Sequence, residues 1–379
     1  MTIPKLLVLL LASLLLAPAV AQQDAFDLLR AAAAKITALD TQEKLGWWDK
    51  LTAEERAALF ATLQPAVELM EQARQAPYTP RPITVTQQEM SWLRDFRQVY
   101  RLRLLQVRVL RDQGKADDAL AACLTGMEEA ARLHPGGDML TVLVSFAGHA
   151  MMQAQARELL GANLSPTACR DAIGRLVAIQ AAMPTLPAIL DQELTIQRPV
   201  LREIAKHPER VAGSEFSELF SSLNTKNKQR FRQEVSAGIA EYERLVRAWT
   251  GAVKKPYPDW GTPPEPKTKI AGMMFPYHVS FARHYQRMLT DQQMLLTALA
   301  LQAFHTDTGV YPDTLAALCP AYLAAPPRDP FSRGVLRYAR AGDTFLLYSI
   351  GPDAHDDGGA VRLDWSKNRA DAKGDLVLP

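Results

Sequence analysis

The sequence predicts a mainly α-helical protein: a multi-helix antiparallel bundle or helical-hairpin body, then a small α+β module in which a long helix packs on a short antiparallel sheet. Three observations predict it. Apolar residues recur at three- and four-residue spacing from about residue 25 to residue 303. A Pro-rich, apolar-poor stretch over residues 254–269 breaks that pattern. Beyond it, residues 335–340 and 344–350 alternate apolar and polar side chains about a turn at Ala341-Gly342-Asp343, as a half-buried hairpin does.

The chain has 379 residues, 48% of them hydrophobic and 22% charged, with a formal net charge of +2. That length suits two or three globular domains. The near-neutral balance, with no basic-aromatic stripe, argues against nucleic acid as the main partner. The expected division is a signal peptide over 1–21, an all-helical domain over 22–253, a Pro-rich linker over 254–279 and a C-terminal module over 280–379.

Taken in order, the chain opens with Lys5, an apolar run over residues 6–16 and Ala19-Val20-Ala21. A positive start, a short apolar core and a small-x-small end predict a secretory signal cleaved before Gln22. The run is shorter than the ~20 residues of a spanning helix, so no stable membrane span is expected after cleavage. The mature chain is expected to be exported, to the periplasm or beyond.

Trp47-Trp48 reads as an anchor for the first helical hairpin, with a ligand groove as the alternative. Thr52-Ala53-Glu54-Glu55 has capping-box spacing and starts a helix carrying Leu59, Leu63, Val67 and Met70. The next helix, about 87–113, sets Leu93, Phe96, Tyr100, Leu104, Val107 and Leu110 on one stripe. Between them stand Arg94, Arg97, Arg101, Arg103, Arg108 and Arg111, which read as a solvated face with an anion-binding face as the alternative. Gly114 turns the chain into a helix over about 118–133, and Ser165-Pro166 is an N-cap followed by proline at N1. Further helices are expected at about 186–206, interrupted at Pro199, and at 215–223 and 227–249. A long helix over about 283–306 opens the C-terminal module, and a short one follows Pro312.

Three cysteines, Cys123, Cys169 and Cys319, do not make a disulfide framework. They read as buried small apolar side chains, and Cys123–Cys169 is the pairing expected if one forms. The helical region carries no nucleophile, phosphate-loop or HExxH-type metal motif. His149, on an apolar face, reads as a core residue, and Glu193 and Glu203 do not form a carboxylate pair by spacing.

The ending is more specific. In order come a long helix ending near Phe304, Gly309-Val310-Tyr311-Pro312, Asp329-Pro330-Phe331, Leu336-Arg337-Tyr338 and Tyr348-Ser349-Ile350-Gly351-Pro352-Asp353. This order resembles the globular part of the major pseudopilin of type II secretion systems. More loosely, the whole layout resembles exported bacterial helical proteins of unknown function with that ending. The pseudopilin resemblance implies a calcium ion in the loop after the last long strand. The chemistry suits it: calcium takes roughly 6–8 oxygens. Asp353, Asp356 and Asp357 offer carboxylates, Ser349 or Gly351 carbonyls, and the glycines permit sharp turns. An ordinary acidic turn, or another metal using His355, are the alternatives. The prepilin-peptidase motif and apolar filament helix of the pseudopilins are missing, so a pilus subunit is not expected.

The expected function is therefore an exported, non-enzymatic binding or scaffold protein of the cell envelope, with an envelope or secreted protein as partner and calcium as the candidate ion. The rivals are a metal-dependent envelope hydrolase using the Asp/His cluster at 353–357, and a type II secretion accessory protein.

Overall fold

The structure, a computed structural model, describes residues 24–38, 50–79, 91–133, 138–206, 228–361, 363 and 373–378. The signal segment, Trp47-Trp48 and the helix expected at 215–223 lie outside them. The described chain is mainly helical, with a small three-stranded antiparallel sheet near its end.

Helix α1 (Ala25–Ala38) is followed by α2 (Ala53–Thr62) and α3 (Gln64–Gln75). The capping box at α2 forms in both directions: Glu55 N–H donates to the Thr52 hydroxyl, and Thr52 N–H to the Glu55 carboxylate. Helices α4 (Ser91–Asp112) and α5 (Ala116–Ala131) make the hairpin expected at Gly114, whose φ of +72° is the left-handed turn. Asp138 caps α6 (Met139–Leu159) and Ser165 caps α7 (Pro166–Ala182). Helix α8 (Leu186–Lys206) continues through Pro199, where an interruption was expected. Helix α9 (Lys228–Ala252) precedes the Pro-rich segment.

The long helix, α10, runs from Lys269 to Thr308. It begins well before the expected start near 283, so the second half of the stretch read as linker is its first turns. Thr268 caps it and Gly309, at φ +79°, ends it. Pro276 and exposed Tyr277 make that first part look unlike a helix in sequence. Tertiary contact explains why it forms: Ile270, Ala271, Phe275, Phe281 and Ala282 are buried against α8 and α9.

Strands β1 (Arg337–Ala341), β2 (Thr344–Ser349) and β3 (Leu376–Val377) pair in the order β1-β2-β3. The hairpin register runs from Arg337 opposite Tyr348 to Ala341 opposite Thr344. The third strand, Leu376–Val377, pairs with β2 through Tyr348↔Val377 and Ser349↔Leu376.

Apolar burial joins these parts. One hydrophobic cluster contains Cys123 of α5, Leu176 of α7, Leu295 and Leu299 of α10, and Leu336, Leu347 and Leu376 beside or within the sheet. The boundary expected at residue 280 falls inside α10, whose first half belongs to a second cluster with α8 and α9. A third joins α1, α2, α3 and one face of α4. The single stripe expected of α4 is consequently too narrow: Leu102, Leu105 and Val109 are buried as well. The three cysteines are free thiols, with Cys123 and Cys169 buried, so the conditional Cys123–Cys169 bridge is not formed. Among the described residues no single helix is long and apolar enough to cross a membrane.

Candidate functional site

The candidate site is the acidic loop after β2 and the buried carboxylates that shape it. Asp329, 1% exposed, begins the Asp-Pro-aromatic landmark and reaches the Tyr-Ser-Ile-Gly landmark. Its carboxylate accepts from Phe331 N (2.9 Å), Ser349 Oγ (2.7 Å) and Ile350 N (3.2 Å). The Ser349 hydroxyl in turn accepts from Gly351 N–H at 3.2 Å. Phe331 is fully buried, edge-on to Tyr257 with ring centroids 4.8 Å apart. The Tyr257 hydroxyl donates to the Pro352 carbonyl at 3.1 Å. The Pro-rich segment is thus an ordered strap that holds the loop from outside.

Gly351 sits at φ +70°, and a Cβ there would lie 2.3 Å from the Gly374 carbonyl oxygen. Only glycine permits that crossing. Beyond it the three predicted carboxylates part company. Asp353 accepts from His355 N–H (3.3 Å) and Gly374 N–H (3.0 Å). Asp356 pairs with the Arg337 guanidinium (2.7 Å) and accepts from the Tyr348 hydroxyl (2.9 Å) and Gly358 N–H (3.1 Å). Its bond to Arg337 is the main reason its carboxyl titrates below the ordinary range. Burial first, and then Asp356, push the Tyr348 phenol up to about 12. Asp357 lies 3.0 Å from the Nδ1 of His355, whose side chain is 72% exposed.

Asp375 was not among the residues read as a site. It is 1% exposed, and one oxygen accepts from Asp357 N–H (3.2 Å) and Gly359 N–H (2.7 Å). The other is buried with no hydrogen-bond partner. Burial raises the Asp375 pKa, and the Asp356 and Asp357 charges add to it. A lone aspartate after Gly374 and before a short apolar run was the only sequence sign of it. Among the described residues no group of three or more His, Cys, Asp or Glu side chains converges as a metal cluster. The loop presents one spare buried oxygen, on Asp375, beside carboxylates that hold protein donors.

The helical body holds its own charged centre. Arg103, from the run read mainly as a solvated face, is 2% exposed and the largest fully buried side chain described. Its guanidinium pairs with buried Glu129, reaches Glu71 at 3.1 Å and donates to Gln106 at 2.6 Å. Burial lifts the Glu129 carboxyl above its ordinary range despite Arg103. Burial pushes Glu71 the same way, but Arg74 and Arg103 outweigh it and hold it low. Of the other arginines, Arg94 and Arg97 are exposed, while Arg101, Arg108 and Arg111 are half-buried. Helical periodicity places Arg103 on a face of α4 but does not show that α5 covers that face.

Two further buried groups were not read as polar centres. Glu193 of α8 accepts from Met139 N–H at 2.8 Å, at the start of α6. Tyr242 lies 3.1 Å from His278 Nε2, and burial pushes His278 down to about 4. His149 is fully buried, the core position read from its apolar face.

No protein-family model, curated protein or solved structure matches this chain.

Proposed function

We propose that this chain is an exported, non-enzymatic binding or scaffold protein of the cell envelope, with a pseudopilin-like module whose acidic loop takes calcium. One observation supports the reading above the others: Asp329 joins the Asp-Pro-aromatic and Tyr-Ser-Ile-Gly landmarks through one buried carboxylate. The residues that carry the resemblance thus meet in space and shape the loop. The amino-terminal sequence supports export.

The spare Asp375 oxygen supports an ion in this loop, since a buried carboxylate without a partner is costly and a cation would offset its charge. Asp375 and Asp357 would hold the ion. Asp353 and Asp356 would join by exchanging protein donors for it, with the Ser349 and Gly351 carbonyls at the turn. The body would face an envelope or secreted protein partner.

Two measurements test the reading. Expressed in a bacterial host, the full chain should yield a mature species beginning at Gln22 in the periplasmic or extracellular fraction; an uncleaved cytoplasmic product sinks the export half. The mature chain, 22–379, should unfold at higher temperature with calcium than with chelator, and an Asp353→Ala/Asp356→Ala variant should lose the shift. A ligand at 100 times its Kd adds about 2.7 kcal/mol. A response to zinc or manganese alone, lost in His355→Ala, would favour the hydrolase, and co-purification with secretion components the accessory role.

A further inference from the structure

A cavity of about 300 Å³ opens beside the buried Arg103–Glu129 pair, lined by Glu71, Arg74, Gln75, Glu128, Glu129 and Arg132. Its size lies at the lower end of small-ligand pockets, roughly 300–1,000 Å³. The walls come from α3 and from α5 with its last turn, and they alternate in charge.

Most of these charges are paired. Arg103 holds Glu129 and Glu71. Arg74 bonds Glu71 at 2.8 Å and approaches Glu128 at 3.5 Å. Arg175, behind the wall, takes both oxygens of Glu128 at 2.7 and 2.9 Å. Arg132 differs: among the described residues it makes no ion pair. Its guanidinium donates to the carbonyls of Ala73 (2.7 Å), Arg74 (2.6 Å) and Ala76, at the end of α3. Those bonds leave further N–H donors, for a guanidinium has five.

A buried ion pair is a poor way to gain stability, because desolvation consumes most of the attraction. Here it forms a rigid floor under an open cavity, where fixed charges have a use. A metal cation would meet the arginines, and a phosphate the three carboxylates. A single carboxylate flanked by N–H donors matches both: the carboxylate accepts from Arg132, and an adjacent amide N–H donates to Glu71 or Glu129. The C-terminal residue of a peptide has this pattern: a carboxylate and one amide N–H on the same α-carbon, with further backbone N–H groups upstream.

We propose that this cavity binds the free C-terminal carboxylate of a peptide, with Arg132 as the carboxylate anchor and Glu71 and Glu129 as acceptors for backbone N–H. The proposal rests on the reading of the chain as a binding protein and is independent of the calcium loop and of export, so its failure leaves those two tests standing.

The test is calorimetric titration of the mature full chain with N-acetyl-dialanine, its C-terminal amide, and acetate. The free acid should bind saturably, and the amide at least tenfold more weakly, about 1.4 kcal/mol. Arg132→Gln should lose a similar factor for the acid while leaving the amide unchanged. Because Arg132 also holds the end of α3, a second variant is needed. Gln75→Trp fills the cavity mouth from an exposed position and should abolish binding with unchanged thermal unfolding. Equal affinity for acid and amide, acetate binding as tightly as the peptide, full affinity in Gln75→Trp, or no saturation up to about 10 mM would each overturn the proposal.

Discussion

His278 shows how one residue can set a pH dependence. Its ring lies between Tyr242, whose hydroxyl is 3.1 Å from Nε2, and the Met274 carbonyl, 3.4 Å from Nδ1. A neutral ring satisfies both, accepting from Tyr242 at Nε2 and donating to Met274 from Nδ1. A charged ring would have two donors and no water, so burial lowers the pKa from 6.5 to about 4. The unfolded chain therefore takes up this proton first as the pH falls. The contribution is complete above 6.5 and is lost as pH falls from there through about 4. Denaturant titrations at a series of pH values should show this slope, and His278→Gln should flatten it. An unchanged slope would place the acid sensitivity elsewhere, with Asp356 as the next group, since its carboxyl is held low in the fold and loses its contribution as it protonates.

Elements pack through surfaces that the sequence pattern only half specifies. Gly148 of α6 and Gly174 of α7 look alike in sequence, each a glycine inside a helix. A Cβ at Gly148 would lie 2.6 Å from the Tyr100 ring of α4, whereas one at Gly174 meets nothing within 4 Å. Gly174→Ala should stabilise the protein by about 0.5–1 kcal/mol through helix propensity. Gly148→Ala should destabilise it by about 1–3 kcal/mol, because overpacking a core exceeds that gain. Urea midpoints moving in opposite directions, with unchanged m-values, would bear out the contrast; a stabilised Gly148→Ala would contradict the close approach of α4 and α6. The same half-specification applies to Arg103. Its place in a helix was readable, but its burial depends on α5 and α3, which supply Glu129 and Glu71.

For the whole molecule, α10 decides the architecture. Its first half shares a core with α8 and α9, and its second half shares one with α5, α7 and the sheet. Among the described residues the sheet has three strands, and it buries Leu347 and Leu376 in that common cluster. A sheet so small has little stability of its own. Far-UV circular dichroism and tryptophan fluorescence should therefore give coincident unfolding curves for the mature chain. Two separated transitions would mean that the C-terminal module folds apart from the helices.

The sequence by itself determined the local elements: the capping box at Thr52, the turn at Gly114, the cap at Ser165, the stop at Gly309 and the alternating hairpin. Each is set by residues within a few positions, through a side chain bonded to the nearby backbone, a permitted dihedral or a short period. The mainly helical class with a small sheet follows from them. Tertiary structure decided the rest. It carried α10 back to Lys269 through Pro276, placed Arg103 inside and joined Asp329 to Ser349. It also paired Leu376–Val377 with β2 and left an Asp375 oxygen unpartnered. These outcomes depend on burial and on partners distant in the chain. Spacing shows which face a residue occupies, but only packing shows what covers it.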